Sequence, residues 1–150
     1  MVMLLALGPG VIVAAPSAQA YTPSPATVAA YEHGVIYWVN ANRTKYGRAK
    51  LRSGTVAVCP DRYANGWSSY LARTGYFYHR DMHVILSGCH ATVAAENLAR
   101  GFTSGKTTVN AWMHSPGHKA NIMDRRLTRI GVAAVYAHGR WTVTANFTRP

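Results

Sequence analysis

The sequence predicts an α+β domain in which helices come first and pack on an antiparallel sheet formed largely by the C-terminal residues. Three observations carry this expectation. Apolar side chains recur at spacings of three, four and seven in the first half. The C-terminal stretch alternates apolar and polar residues with period two. Glycine and proline punctuate the passages between these patterns.

Taken in order, Thr27 to Tyr46 predicts a helix, with Val28, Tyr31, Val35, Trp38, Val39 and Tyr46 on one stripe and Gly47 as its stop. Arg48 to Ser53 reads as a basic loop, and Val56 to Val58 as a short strand. Pro60 to Thr74 predicts a second helix: Pro60 suits its first turn, Tyr63, Trp67, Tyr70 and Leu71 form its apolar stripe, and Gly75 ends it. Residues 76–90 carry mixed signals and are expected to be irregular. Val93 to Arg100 and Thr107 to His114 read as helical pieces on either side of Gly101 to Gly105. Ser115-Pro116 fits a cap followed by a first-turn proline, opening a short helix with His118, Asn121 and Ile122. Ile130, Val132, Ala134 and Tyr136, then Trp141, Val143, Ala145 and Phe147 after the Gly139-Arg140 turn, predict a hairpin with one buried face and one wet face.

Residues 1–20 carry no charged side chain, and Ala18-Gln19-Ala20 has the small-x-small form of a signal-peptidase site. Gly8-Pro9-Gly10 interrupts the apolar run well short of the roughly 20 residues a membrane span needs. The expectation is a secretory signal peptide cleaved after Ala20, with no transmembrane segment in the mature form. The basic residue usual at the start of such a leader is absent, which points to a true start upstream of Met1; an uncleaved anchor is the alternative. Residues 21–26, with Pro23 and Pro25, read as a flexible lead-in, and residues 27–150 as one domain.

Cys59 and Cys89 in an exported chain favour one disulfide over a catalytic thiol, worth about 3–4 kcal/mol on the chain-entropy argument. Sixteen Lys and Arg against five acids give a net charge of +11. Outside the cell this charge favours anionic envelope polymers or lipid headgroups as partners. The cations are scattered and no nucleic-acid motif occurs, so specific nucleic-acid binding is not expected.

The chemistry-bearing residues are few. Glu96 lies in the small, apolar run Ala94-Ala95-Glu96-Asn97-Leu98-Ala99, so it is either paired and desolvated or exposed on a helix surface. His79 follows the aromatic run Tyr76-Phe77-Tyr78. His114 and His118 have the spacing of two zinc ligands on one helix, but Ser115 replaces the glutamate of that motif and Pro116 breaks the shared face, leaving His114 as background. His118, at the start of a helix, is favoured as a neutral imidazole able to accept a hydrogen bond or bind a cation. Asn121 is expected to tie down the preceding loop, and the four tryptophans to anchor core or rim. No phosphate loop, serine elbow or CxxC pair occurs.

In order along the chain, Val39-Asn40-Ala41-Asn42-Arg43, the aromatic run into His79, Ala95-Glu96-Asn97-Leu98, Trp112 with Ser115-Pro116-Gly117-His118, and Ile130-Gly131-Val132 before a terminal hairpin resemble the bacterial branch of the CAP superfamily. This is the SCP-like extracellular domain named for cysteine-rich secretory and pathogenesis-related proteins. The resemblance implies a three-layer α-β-α sandwich with an antiparallel sheet and a surface cleft lined by a His-Glu-Glu-His tetrad. His79, Glu96 and His118 match three members; Ser115 stands where the second glutamate is found, and Ala95 replaces a glycine. The implied catalytic candidates are therefore His79, Glu96 and His118. The implied cation ligands, for zinc or a similar ion, are His79 and His118, with Glu96, Asn97 and Ser115 behind them. Losing one acid weakens both acid–base catalysis and tight metal binding. A secreted, non-enzymatic cleft-binding protein is the leading expectation. A metal- or His/Glu-dependent hydrolase such as a peptidase is the alternative, and a lipid or sterol carrier a third reading.

Overall fold

The computed structural model describes residues 21–150; the expected leader, residues 1–20, lies outside them. In chain order the elements are α1 (Pro25–Lys45), a 3-10 turn (Gly54–Val56), α2 (Val58–Thr74), α3 (His83–Gly88), β1 (Val93–Arg100), α4 (Gly105–His114), α5 (Pro116–Met123), β2 (Arg129–Ala137) and β3 (Arg140–Arg149). The three strands form one antiparallel sheet in the order β1-β3-β2. Helix α2 covers one face of the sheet, while α1, α4 and α5 cover the other, so the domain is an α-β-α sandwich.

Helix α1 begins two residues before the expected start of the domain, because the Ser24 hydroxyl accepts the Thr27 N–H and Pro25 occupies the first turn. Tyr21, assigned to the lead-in, packs edge-on against Tyr136. Residues 54–58, read as containing a short strand, instead form the 3-10 turn and the start of α2. Gly75, at φ 79°, ends α2 as expected. The irregular stretch 76–90 contains the short helix α3.

The main correction concerns Val93 to Arg100, which forms strand β1 and not a helix. Its alanines and leucine favour helix locally, but the segment pairs along its whole length with β3, Glu96 opposite Asn146 and Leu98 opposite Thr144. Tertiary pairing overrides the weak helix propensity of an Ala-rich run.

The hairpin is present, with Ala137 paired to Arg140 across a His138-Gly139 turn. Both turn residues have positive φ, the conformation that matches the twist of a two-residue hairpin loop. It has no wet face, however. β3 is the central strand, and every residue from Trp141 to Thr148 is buried. Trp141, Val143, Ala145 and Phe147 enter the main core with Tyr31, Val35, Val39, Val109, Trp112 and Ile122. The polar set faces α2, where Ser68 donates to Thr144 (2.8 Å) and Asn146 donates to the Pro60 carbonyl (3.3 Å). Thr144 and the Asn146 amide N–H thus find partners on α2, while Asn146 Oδ1 is buried without one among the described residues.

Both sheet edges are covered by side chains. Asp61 and Glu32 accept the Val132 and Ala134 N–H groups on the β2 edge. Trp112 and Asn121 donate to the Leu98 and Glu96 carbonyls on the β1 edge. Such covering blocks further strand addition, and on the β1 side it lays α4 and α5 beside Glu96. Cys59 and Cys89 form a disulfide that fastens the start of α2 to the end of α3.

Candidate functional site

The site forms where residues 75–80 run back along β1 on the α2 face. Arg100, at the end of β1, holds the first part of this run: its guanidinium donates to the carbonyls of Leu71 (2.9 Å), Gly75 (2.9 Å) and Tyr76 (2.6 Å) and lies over the Phe77 ring. Four residues earlier on the same face of the strand, Glu96 holds the far end. Its Oε1 meets His79 Nδ1 at 2.9 Å and accepts the Arg80 N–H at 3.4 Å.

The Glu96 side chain is 1% exposed and that of His79 is 55% exposed. The carboxylate is therefore the buried support and the imidazole the accessible group. Burial pushes the Glu96 carboxyl above its usual range, while His79, the Arg80 N–H and the Arg80 guanidinium pull it back. Arg80 Nε stands 3.9 Å from Glu96 Oε2, an ion pair without a hydrogen bond, and both atoms are buried with no hydrogen-bond partner among the described residues. The Arg80 guanidinium lies over the rings of Trp67 (4.6 Å) and Tyr63 (5.4 Å), which compensates part of its desolvation.

His118 approaches from the other side of the β1 edge, as the third residue of α5. Its ring centroid is 6.4 Å from that of His79 and 6.4 Å from the Trp112 ring. Asn97 is buried and donates to the His118 carbonyl at 3.1 Å; Asn121 donates to Asn97 Oδ1 at 2.9 Å and to the Glu96 carbonyl at 3.1 Å. These two amides join α5 to β1, so Asn121 ties the helix to the strand and not to the loop before it. Burial, and then the neighbouring His79, holds the His118 imidazole below its usual pKa. The structure thus brings His79, Glu96 and His118 together at one edge of the sheet.

Ser115, expected behind the cation ligands, stands apart from this network, as does His114, which was expected to be background. The Ser115 hydroxyl does not cap α5, and no hydrogen bond links it to His79, Glu96 or His118. His114 bonds back through Nδ1 to the Asn110 carbonyl of its own helix. Sequence reasoning gave Arg80 and Tyr63 no role at the site and treated Trp67 only as an anchor. An arginine directly after His79 was the one local signal.

Because Glu96 occupies Nδ1 of His79, Nε2 is the nitrogen left for a ligand or cation, the usual arrangement of a carboxylate behind a metal-binding histidine. His79 and His118 would be the two protein ligands of such an ion. Among the described residues, no group of three His, Cys, Asp or Glu is placed to hold a metal. Two imidazoles alone would leave such an ion half open to solvent, unlike the four-ligand shell of a closed structural site.

Residues 36–147 match the sequence model of the CAP, cysteine-rich secretory protein family. The chain is 33% identical over 129 residues to the uncharacterized protein YkwD of Bacillus subtilis (strain 168), covering 81% of this chain and 49% of that protein. It thus spans about half the length of that relative. Its fold is similar to that of an extracellular protein containing a SCP domain from Bacillus anthracis (TM-score 0.69, 22% identity, 87% of this chain and 45% of the other). It is also similar to a cysteine-rich secretory protein from Staphylococcus aureus (0.71, 15%, 87% and 42%) and to an outer surface protein of Borrelia burgdorferi (0.68, 19%, 77% and 89%).

Proposed function

Since this chain belongs to the cysteine-rich secretory protein (CAP) family, we propose that it is exported and acts outside the cell as a cleft-binding protein, with His79, Glu96 and His118 as the polar floor of the cleft. The observation that carries this reading is the commitment of the single carboxylate. Glu96 already accepts from His79 and from the Arg80 N–H, and an arginine stands beside its second oxygen. A carboxylate held in this way orients an imidazole for binding. A second acid, which a paired acid–base mechanism would use, has no counterpart at Ser115.

Export is supported by the leader-like residues 1–20, by the disulfide, and by the extracellular or outer-surface descriptions of structural neighbours. Among the described residues no helix is long and apolar enough to cross a membrane. The net charge of +11 favours anionic envelope polymers or lipid headgroups over neutral partners. A divalent cation held by His79 and His118 would supply an electrophilic anchor for a ligand oxygen.

The rival reading, a hydrolase, draws on one feature: the His79–Glu96 contact is also the geometry of a base and its orienting acid. Incubation of the secreted protein with a peptide library separates the two. The binding reading expects no turnover by wild type. Turnover that vanishes in His79→Ala while the circular dichroism spectrum persists would overturn it. Mass spectrometry of secreted protein expects an N-terminus at Tyr21; retention of Met1 would reject cleavage.

A further inference from the structure

Beside His79 the structure opens a cleft of about 630 Å³ on the α2 face, walled by Tyr63, Trp67, Tyr78 and Val84. Its volume is that of a small-ligand site. The walls are set in place: Trp67 stacks on Tyr70 (5.1 Å, 12° between planes), Tyr78 stands edge-on to Trp67, and the Tyr78 hydroxyl bonds to that of Tyr70. Tyr78 and Val84 remain about half exposed, so the cleft opens sideways to solvent.

Gly66 also lines this cleft, in the middle of α2. A glycine in a helix interior is unfavourable relative to alanine, and a packing reason usually accounts for it. Here packing does not: a Cβ built at Gly66 meets nothing within 4 Å, whereas one at Gly105 or Gly131 collides with backbone. What the bare, exposed position leaves free is close approach of a ligand to the helix backbone beside the aromatic walls.

The rim is polar and of both signs. Arg62 is exposed, with its guanidinium over the Tyr63 ring (5.6 Å); His79, Arg80 and Asp81 also line the cleft, and the Arg80 guanidinium lies over the Trp67 and Tyr63 rings. Aromatic walls, an open stretch of helix backbone and rim donors and acceptors match a sugar ring, which has apolar C–H faces and a polar perimeter. The same apolar walls would admit an acyl chain, which the apolar control below tests. The exposed Arg62 and the net charge of +11 select a sugar carrying a carboxylate.

We propose that this cleft binds a carboxylated sugar unit of an anionic envelope glycan, its ring laid across Gly66 between Tyr63 and Tyr78 and its carboxylate on Arg62. The proposal deepens the cleft-binding reading above and rests on it. The experiment is an NMR titration of the full protein with a disaccharide of N-acetylglucosamine and glucuronic acid, with its uronamide as the uncharged control and dodecanoate as an apolar control. The disaccharide is expected to shift the Gly66, Trp67 and Tyr78 resonances. Gly66→Leu, whose Cβ meets open space and whose side chain would project beside the aromatic walls, is expected to weaken binding more than tenfold with a melting temperature at or above that of the parent. Arg62→Gln is expected to weaken the acid about threefold, within the range of an exposed ion pair, and to leave the amide unchanged. Unaltered binding by folded Gly66→Leu overturns the proposal. Gly66-sensitive binding of dodecanoate without the disaccharide overturns the ligand class and leaves the cleft reading standing. Zinc shifting His79 and His118 while neither carbon ligand binds overturns the saccharide and leaves the histidine pocket intact.

Discussion

Replacing Arg43 tests what holds the histidine-bearing helix in place. Arg43 lies in α1, is 1% exposed, and spends its donors on four carbonyls: Ala49 (2.7 Å), Ile122 (2.6 Å), Asp124 (2.9 Å) and Leu127 (3.4 Å). Two of these acceptors end α5, the helix that carries His118. Burial pulls the guanidinium below its usual pKa and Arg48 adds to this, while Asp124 offsets part. Hydrogen bonds to a charged group contribute about 1.5–3 kcal/mol each and are not additive, and each buried carbonyl left unsatisfied costs about 1–3 kcal/mol. Arg43→Met keeps most of the volume and strands the carbonyls, so a loss of about 3–5 kcal/mol is expected. For a domain of this size about 4 °C accompanies each kcal/mol, giving a melting temperature lower by about 12–20 °C. Calorimetry or urea unfolding reads this directly, and the loss should vary little with salt because the cluster is buried. A drop of less than about 4 °C would refute the assignment of Arg43 as the clasp of α5.

Three further outcomes are expected. Gly131→Ala drives a Cβ into the backbone of Pro60 and Asp61 where β2 meets α2; overpacking of this kind costs at least about 1–3 kcal/mol, and an unchanged urea midpoint would contradict the close approach. His118, held below the usual imidazole value near 6.5, binds its proton more tightly in the unfolded chain. Its contribution to stability is therefore present above that value and lost as pH falls below it. An NMR midpoint at or above about 6.5 would refute this, and His79→Gln should raise the midpoint without fully restoring it. Zinc added to metal-free protein should bind more than tenfold more tightly to wild type than to His79→Ala/His118→Ala; equal affinity would reject the two-histidine site.

Much of the fold was legible because its signals are local. The stripe on α1, the Pro60 and Gly75 bounds near the ends of α2, and the alternation through residues 130–147 each depend on neighbours a few positions away. Two of the departures arose where local and global preferences conflict. Val93–Arg100 has helix-forming composition but gains a full ladder from β3, and Thr142, Thr144 and Thr148 look solvent-facing until α2 covers them. His79, Glu96 and His118 were legible through the motif resemblance. Arg80 was not, because its role depends on Trp67 and Tyr63 arriving from α2.

By itself the sequence determined the helix and hairpin periods, the even cysteine count, the basic charge and the scarcity of acids. Tertiary structure alone decided that 93–100 would be a strand, that Glu96 would be buried against His79, and that the glycine in α2 would line a cleft. The physical reason is range: periodicity and capping act within a few residues, whereas burial and pairing depend on segments that meet only once the chain has closed on itself.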